Sequence, residues 1–416
     1  MINKLFAVLL CSAMVSGASA AVTFDQQGSV TEIVKQLQSA GPDADIIPVP
    51  GDPKAPAAWT VMVYVNAKNN LEQYGLKDVN EMEMIGSTPE VNIVAELGRI
   101  NGYSTADGDW KGSRRYLVQK DADINKITSP VLLEIPKSDM GKWENLVEFV
   151  KWSQEKFPAR NYALVVWNHG SGWNKTGEPE GKGISYDDET HNHITTQQLA
   201  QALQATGKLG ILSMDACLMQ MMEVAYEARK GAEYIVASEE TEPGDGYTYD
   251  TFLGPLVAKP GMGAAELSKL MVDAYTDHYQ QIGQGATQSS VNTAALDKLA
   301  VLADGWTAAV MASGDTVGAK NARAKAQSFY YSSNKDLYHF VKLVSDASAD
   351  AAVKARGAEL LDYLKGSVIY HNRAYGSKYA NASGLAIYLP SYYTAAYDAL
   401  AWAQDSNWDA FMQWIK

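Results

Sequence analysis

Ala163-Leu164-Val165-Val166-Trp167 running into Asn168-His169-Gly170, and Leu209-Gly210-Ile211-Leu212-Ser213-Met214 running into Asp215-Ala216-Cys217, are the two stretches that decide the fold. Both are apolar over nearly their whole length. Such a run suits a strand covered on both faces, the usual condition in a parallel sheet. Each ends in a reactive residue, so His169 and Cys217 stand just past the C-terminal ends of two core strands. Sites in open α/β sheets form at that rim. Adjacent strands lie about 4.8 Å apart, so if these two are neighbours the imidazole and the thiol meet across a short gap.

Outward from these two strands the same alternation continues. Strands are expected at 60–65, 91–97 and 234–237, and helices at 71–85, 142–157, 195–205 and 218–230, with a hairpin-like excursion at 114–119 and 127–133. Strands separated by helices imply an α/β fold with a parallel sheet and right-handed crossovers. The later chain reads as mainly helical (264–282, 298–313, 351–367), with one apolar strand at 384–389 expected to rejoin the sheet. Residues 21–58 hold one short amphipathic helix and a Pro- and Gly-rich stretch, an N-terminal extension or a pro-segment. The expected division is therefore 1–20, 21–58, a core at 59–260 and a mainly helical part at 261–416.

The chain has 416 residues, 46% of them hydrophobic, with 10 Trp and 23 Tyr, enough to fill a sizeable core. Its net charge of −13 argues against nucleic acid as a partner, since phosphates demand basic faces. Lys4, the apolar run 5–15 and the small residues Ala18-Ser19-Ala20 have the order of an export leader. That run is short of the roughly 20 residues a membrane span needs. Leu10 before Cys11 is too large for a lipoprotein anchor. A secreted or periplasmic chain starting at Ala21 is expected, without a membrane anchor. Of the two cysteines, leader removal takes Cys11 and leaves Cys217 as a lone thiol in an oxidising compartment. An inert buried cysteine is the bland reading; the histidine on the other strand end argues for the reactive one.

A cysteine attacks as thiolate, and a free thiol titrates near ~8.5. An adjacent His169 takes the proton. A helix expected from Leu218 would begin at the cysteine and favour the anion with its dipole. The backbone N–H of Cys217, with that of Gly170, would hold an oxyanion.

The longer strings Trp167-Asn168-His169-Gly170-Ser171-Gly172-Trp173 and Asp215-Ala216-Cys217-Leu218-Met219 resemble the clostripain family of caspase-like cysteine peptidases. Ala237-Ser238-Glu239-Glu240 with Pro243-Gly244, and the opening strand 59–66, resemble the same family. The resemblance implies a caspase-like, mostly parallel sheet flanked by helices. It implies an endopeptidase with a His169 and Cys217 dyad, and Asp215 at the floor of a pocket that selects Arg or Lys. A carboxylate two residues before the nucleophile does lie on the same face of the strand end, although a helix cap is the alternative role. The resemblance also implies self-processing between the dyad residues. There the Gly-rich stretch 175–183 offers Lys182 and, second, Lys175. Two other readings stand beside this one: a non-catalytic secreted binding protein that keeps the fold, and a transpeptidase on the same scaffold.

The acidic loop at Asp187 and Asp188 is a candidate for calcium, which takes oxygen ligands, though a solvated acidic loop is the commoner meaning. No cofactor is otherwise expected. The partners expected are protein or peptide substrates carrying Arg or Lys.

Overall fold

The computed structural model describes residues 56–173 and 183–416. The leader, nearly all of the extension, and the candidate cleavage residues Lys175 and Lys182 lie outside the described residues.

In chain order the strands are β1 (Ala57–Ala67), β2 (Val91–Arg99), β3 (Gly112–Leu117), β4 (Val131–Ile135) and β5 (Ala159–Trp167). A short ribbon of β6 (Ile184–Asp187) and β7 (Asn192–Ile194) follows, then β8 (Leu209–Asp215), β9 (Ala232–Ala237) and β10 (Ala286–Asn292). The last are β11 (Asn334–Asp336), β12 (Ile369–Tyr375) and β13 (Ala386–Tyr388). The central sheet runs β12-β10-β9-β8-β5-β1-β2-β3-β4. Its middle, β9-β8-β5-β1-β2, is parallel, and antiparallel strands extend it at both edges.

Period-two geometry sends alternate side chains to opposite faces. On β1, Met62 and Tyr64 join one core with Leu212 and Met214 of β8. Val61, Val63 and Val65 join the other, with Leu76 and Val79 of the helix Glu72–Glu83. Helices Trp143–Lys156, Thr196–Thr206 and Met222–Ala228 contribute to the first core. Helices Tyr249–Ala258 and Ala264–Gln281 contribute to the second, so both faces of the parallel strands are covered. The result is the α/β architecture expected from the alternation, with the mostly parallel sheet flanked by helices that the resemblance implies.

Two strands from the later chain join the sheet, and neither is the apolar run expected to do so. The segment 384–389 places β13 in a separate ribbon with β11. The sheet is extended instead by β10 and β12. The sequence of β10, Ala-Thr-Gln-Ser-Ser-Val-Asn, is too polar to read as a core strand, yet Thr287, Gln288, Ser289 and Ser290 are all buried. Partners make that burial tolerable. Gln288 Nε2 donates to the Tyr247 hydroxyl at 2.6 Å, Gln220 Nε2 to Ser289 Oγ at 2.7 Å, and Ser290 Oγ to Ser268 Oγ at 2.8 Å.

The helix expected at 218–230 begins at Met222. Leu218 sits at φ +64°, in the left-handed region, and Gln220 and Met221 are still extended or turning. Cys217 therefore rides a loop, five residues short of the helix start, and receives nothing from the helix dipole, whose reach is one turn.

Candidate active site

β5 and β8 are neighbours, with Trp167 opposite Asp215. The pairing continues one step further, since the Asn168 N–H donates to the Asp215 carbonyl at 3.2 Å. Beyond that rung the two loops touch. A Cβ built on Gly170 would lie 2.5 Å from the Cys217 carbonyl oxygen and 3.0 Å from Ala216 Cβ. Only glycine permits this approach, and it brings the His169 and Cys217 loops against each other.

The His169 loop is held from below and from the side. Asn168 is buried; its Nδ2 donates to the carbonyls of Asn66 and Tyr186, and its Oδ1 accepts the Tyr186 N–H at 2.9 Å. Ser171 N–H donates to the Gly183 carbonyl at 3.0 Å, and Gly183 N–H returns to Ser171 Oγ at 3.1 Å. Trp173 wedges edge-on between Tyr388 and Tyr397, at ring separations of 4.9 and 5.1 Å. His169 Nε2 lies 2.8 Å from Asn70 Oδ1.

The Cys217 thiol is partly buried. Burial pushes it above the ordinary thiol range, and the nearby Asp215 and Glu240 carboxylates push the same way. The Glu242 N–H donates to Sγ at 3.3 Å, which opposes them. The balance favours the thiol over the thiolate at Cys217. The segment after β9 grips its loop. Leu218 N–H donates to the Glu240 carbonyl at 3.0 Å and Gln220 N–H to the Ser238 carbonyl at 2.9 Å. The same segment is tied to the later chain. The Glu240 carboxylate accepts from Tyr330 N–H at 2.8 Å and Lys378 Nζ at 2.9 Å. The Glu239 carboxyl accepts from Gly384 N–H at 3.0 Å and hydrogen bonds the Asp336 carboxyl. Burial, reinforced by Asp336, holds Glu239 well above the usual carboxylate range.

Asp215 caps no helix. Its carboxylate accepts from the Tyr249 hydroxyl at 2.9 Å and from Tyr247 N–H at 3.3 Å. Gly246, at φ +60°, passes so close that a Cβ there would meet Asp215 Oδ1 at 2.9 Å. Glu242 faces it across a carboxyl–carboxyl hydrogen bond. Neither Glu242 oxygen, both buried, accepts from a protein N–H or O–H among the described residues. Asp78 is close enough to repel Asp215 and is held by Trp167 Nε1 at 2.6 Å. Burial pushes Asp215 up to about 6, and pushes Asp78 and Glu242 well above their usual range, with repulsion from Asp215 adding to both. The rings of Tyr247, Tyr249, Tyr275 and Tyr279 form the surrounding second core. Three neighbouring buried carboxyls favour shared protons over full ionisation, with Lys77 acting against this at Asp78. The sequence pointed to Asp215 alone. Glu242 reaches it from the loop after β9 and Asp78 from the helix Glu72–Glu83, and no spacing signals that.

The calcium candidates separate. Asp187 accepts from Met140, Glu189 and Thr190 N–H groups at 3.0 to 3.2 Å and pairs with Lys68 Nζ at 3.1 Å. Lys68 also meets Glu189 at 2.6 Å and the Ser138 carbonyl. A buried ammonium stands where a bound cation would sit, so the residues do not fit calcium. Asp188 is exposed. No group of three His, Cys, Asp or Glu among the described residues is arranged to hold a metal ion. No helix among them is long and apolar enough to cross a membrane.

A model of the clostripain family matches residues 63–414. Clostripain of Hathewaya histolytica is 28% identical over 225 residues, which covers 49% of this chain and 43% of that protein. The matched part thus spans less than half the length of that relative. A secreted C11 cysteine protease from Bacteroides thetaiotaomicron, solved with an irreversible peptide inhibitor, has a similar fold. Its TM-score is 0.64 at 18% identity, over 85% of this chain and 100% of that one. An inactive zymogen C11 protease from Parabacteroides distasonis gives a TM-score of 0.62 at 21% identity, over 85% and 99%.

Proposed function

The chain belongs to the clostripain family, and from that premise we propose that it is a secreted cysteine endopeptidase that cuts after Arg or Lys. The observation that carries this reading is the juxtaposition at the ends of β5 and β8. Two loops bearing an imidazole and a thiol touch through Gly170, beside the buried Asp215–Glu242 carboxyl pair, which bonds no cation among the described residues. A basic substrate side chain supplies that cation. As it enters, the Asp215–Glu242 pair gives up its shared proton and presents two carboxylates. His169 takes the Cys217 proton, the thiolate attacks the scissile carbonyl, and the oxyanion is held by the N–H groups of Gly170 and Cys217. The imidazolium then protonates the leaving amine, and water activated by His169 releases the acyl group. Export through the leader at 1–20 completes the reading.

A chloromethylketone with an Arg or Lys side chain tests it directly. Covalent mass on the peptide containing Cys217 is the expected result. A non-catalytic binding protein stays unlabelled, and a transpeptidase is labelled but yields amide products when amine nucleophiles are added.

Self-cleavage after Lys182, or secondarily Lys175, belongs to the same proposal. The Ser171 and Gly183 bonds hold Gly183, the residue that follows Lys182 in the chain, against the His169 loop. Incubated wild-type protein is expected to gain a new N-terminus at Gly183, while Cys217→Ala remains one chain. A cut that appears equally in both proteins assigns it to another protease.

A further inference from the structure

We infer that Asn70 is the positioning residue of the catalytic histidine: its side-chain carbonyl holds the Nε2 proton of His169, so that Nδ1 is the base that faces Cys217. The inference rests on the peptidase reading above and adds to it which nitrogen acts and what fixes the ring.

The topology places Asn70 where such a residue is needed. β2 lies on one side of β1, and β5, β8 and β9 lie on the other. The strand order therefore reverses between β1 and β5, and crevices open at the C-terminal ends of strands flanking such a reversal. Val65 pairs with Trp167 across that boundary. Asn70 follows β1 on one side of the crevice and His169 follows β5 on the other, with Oδ1 and Nε2 2.8 Å apart.

Both partners are bolted to the same piece of backbone. Tyr186 of β6 accepts at its carbonyl from Asn69 Nδ2 at 2.9 Å and from Asn168 Nδ2 at 3.1 Å. The residues next to Asn70 and next to His169 thus share one anchor. The turn is fixed further by the buried Lys68 ammonium and by Asp188 N–H, which donates to the Lys68 carbonyl at 2.9 Å. Asn70 is not a helix cap, because the N-cap of the following helix is Leu71 and that helix takes no side-chain cap bond; Asn69 Oδ1 accepts the Leu71 N–H at 2.9 Å within the turn. Asn70 is exposed, so core packing does not account for it either.

The chemistry follows from one acceptor. An amide oxygen takes a hydrogen bond and gives none, so the ring nitrogen facing it carries the proton and the other keeps its lone pair. The thiol proton passes to Nδ1, which makes an imidazolium with both nitrogens protonated and Nε2–H still donated to Asn70. The Nδ1 proton then goes to the leaving amine, and the starting tautomer returns. A neutral amide orients the ring without adding the basicity a carboxylate would bring.

Asn70→Ala and Asn70→Asp test this beside Cys217→Ala. Asn70→Ala is expected to lose about 10- to 100-fold in kcat, less than the roughly 100- to 10,000-fold a general base itself contributes because the base is kept and only its orientation is lost, with KM within about twofold and an unchanged melting temperature. Nitrogen-15 NMR of the imidazole should show the Nε2–H tautomer in the wild type and a mixture in Asn70→Ala. Asn70→Asp should keep the tautomer and move the acid limb of the kcat/KM pH profile upward by about one unit. An Asn70→Ala enzyme with kcat within twofold of wild type and an unmoved tautomer overturns the inference. Should Asn70→Ala fail to fold, Asn70→Asp decides: a shifted limb supports the role and an unshifted limb overturns it. Activity retained by Cys217→Ala would sink the peptidase reading itself, which separates the two failures.

Discussion

Cys217→Ala is expected to lose roughly 10⁶-fold in amidolysis, the scale on which deleting the nucleophile of a hydrolytic catalytic unit acts, while melting within about 2 °C of wild type. The effect is large because no other thiol exists in residues 21–416. The fold survives because Sγ is partly buried on a rim loop, and its hydrogen bonds to the Glu242 backbone are long ones of 3.3 and 3.9 Å. Alanine leaves the Leu218 and Gln220 bonds that hold the loop in place. Steady-state hydrolysis of an Arg amide, together with calorimetry, checks both halves. Activity above about one hundredth of wild type would falsify the cysteine mechanism.

Asp215→Asn and Glu242→Gln are expected to cost at least a hundredfold in kcat/KM on Arg and Lys substrates, and far less on neutral ones. Breaking one side of a buried charge pair costs about 3 to 5 kcal/mol, and each 1.4 kcal/mol is about a factor of ten. Equal losses on basic and neutral substrates would make the pair structural. The pair also carries a pH signature. Both carboxyls titrate above their unfolded values, so the folded state holds a proton that the unfolded chain has released. Stability from that source is present at low pH and falls as pH rises through about 6 for Asp215, with Glu242, held well above the usual carboxylate range, adding in the same direction. Stabilisation by a bound basic inhibitor should therefore grow with pH over the same window, and Asp215→Asn should flatten both trends. Thermal shifts measured from pH 5 to pH 8, with and without inhibitor, read it out.

The parallel half of the sheet was legible because its strands are buried on both faces and declare it in runs such as 163–167. The placement of His169 and Cys217 side by side was legible for the same reason, since they stand where those runs stop. What stayed hidden depends on pairing rather than pattern. β10 is a strand of buried hydroxyls and amides, polar in sequence and satisfied only in three dimensions. The loop 217–221 contains no helix breaker, so it reads as the first turn of a helix. The left-handed Leu218 and the backbone bonds to Ser238 and Glu240 override that propensity. Glu242 comes from the loop after β9, Asp78 from the helix Glu72–Glu83 and Asn70 from the turn after β1, and the acidic pair at Asp187 and Asp188 looked like a metal site only because its lysine is more than a hundred residues upstream in the sequence.

The bonds from Ser238–Glu242 to Tyr330, Lys378 and Gly384 bear on how the nucleophile breathes. Rim loops of α/β proteins usually open locally, at a small fraction of the global unfolding free energy. Here the Leu218 and Gln220 amides are latched to a segment whose own carboxylates are clamped by residues more than eighty positions later. Releasing those amides to deuterium means detaching the later chain as well. Their exchange should be as slow as that of β8 and should fall into the same cooperative unit, so heat inactivation and global unfolding become one event.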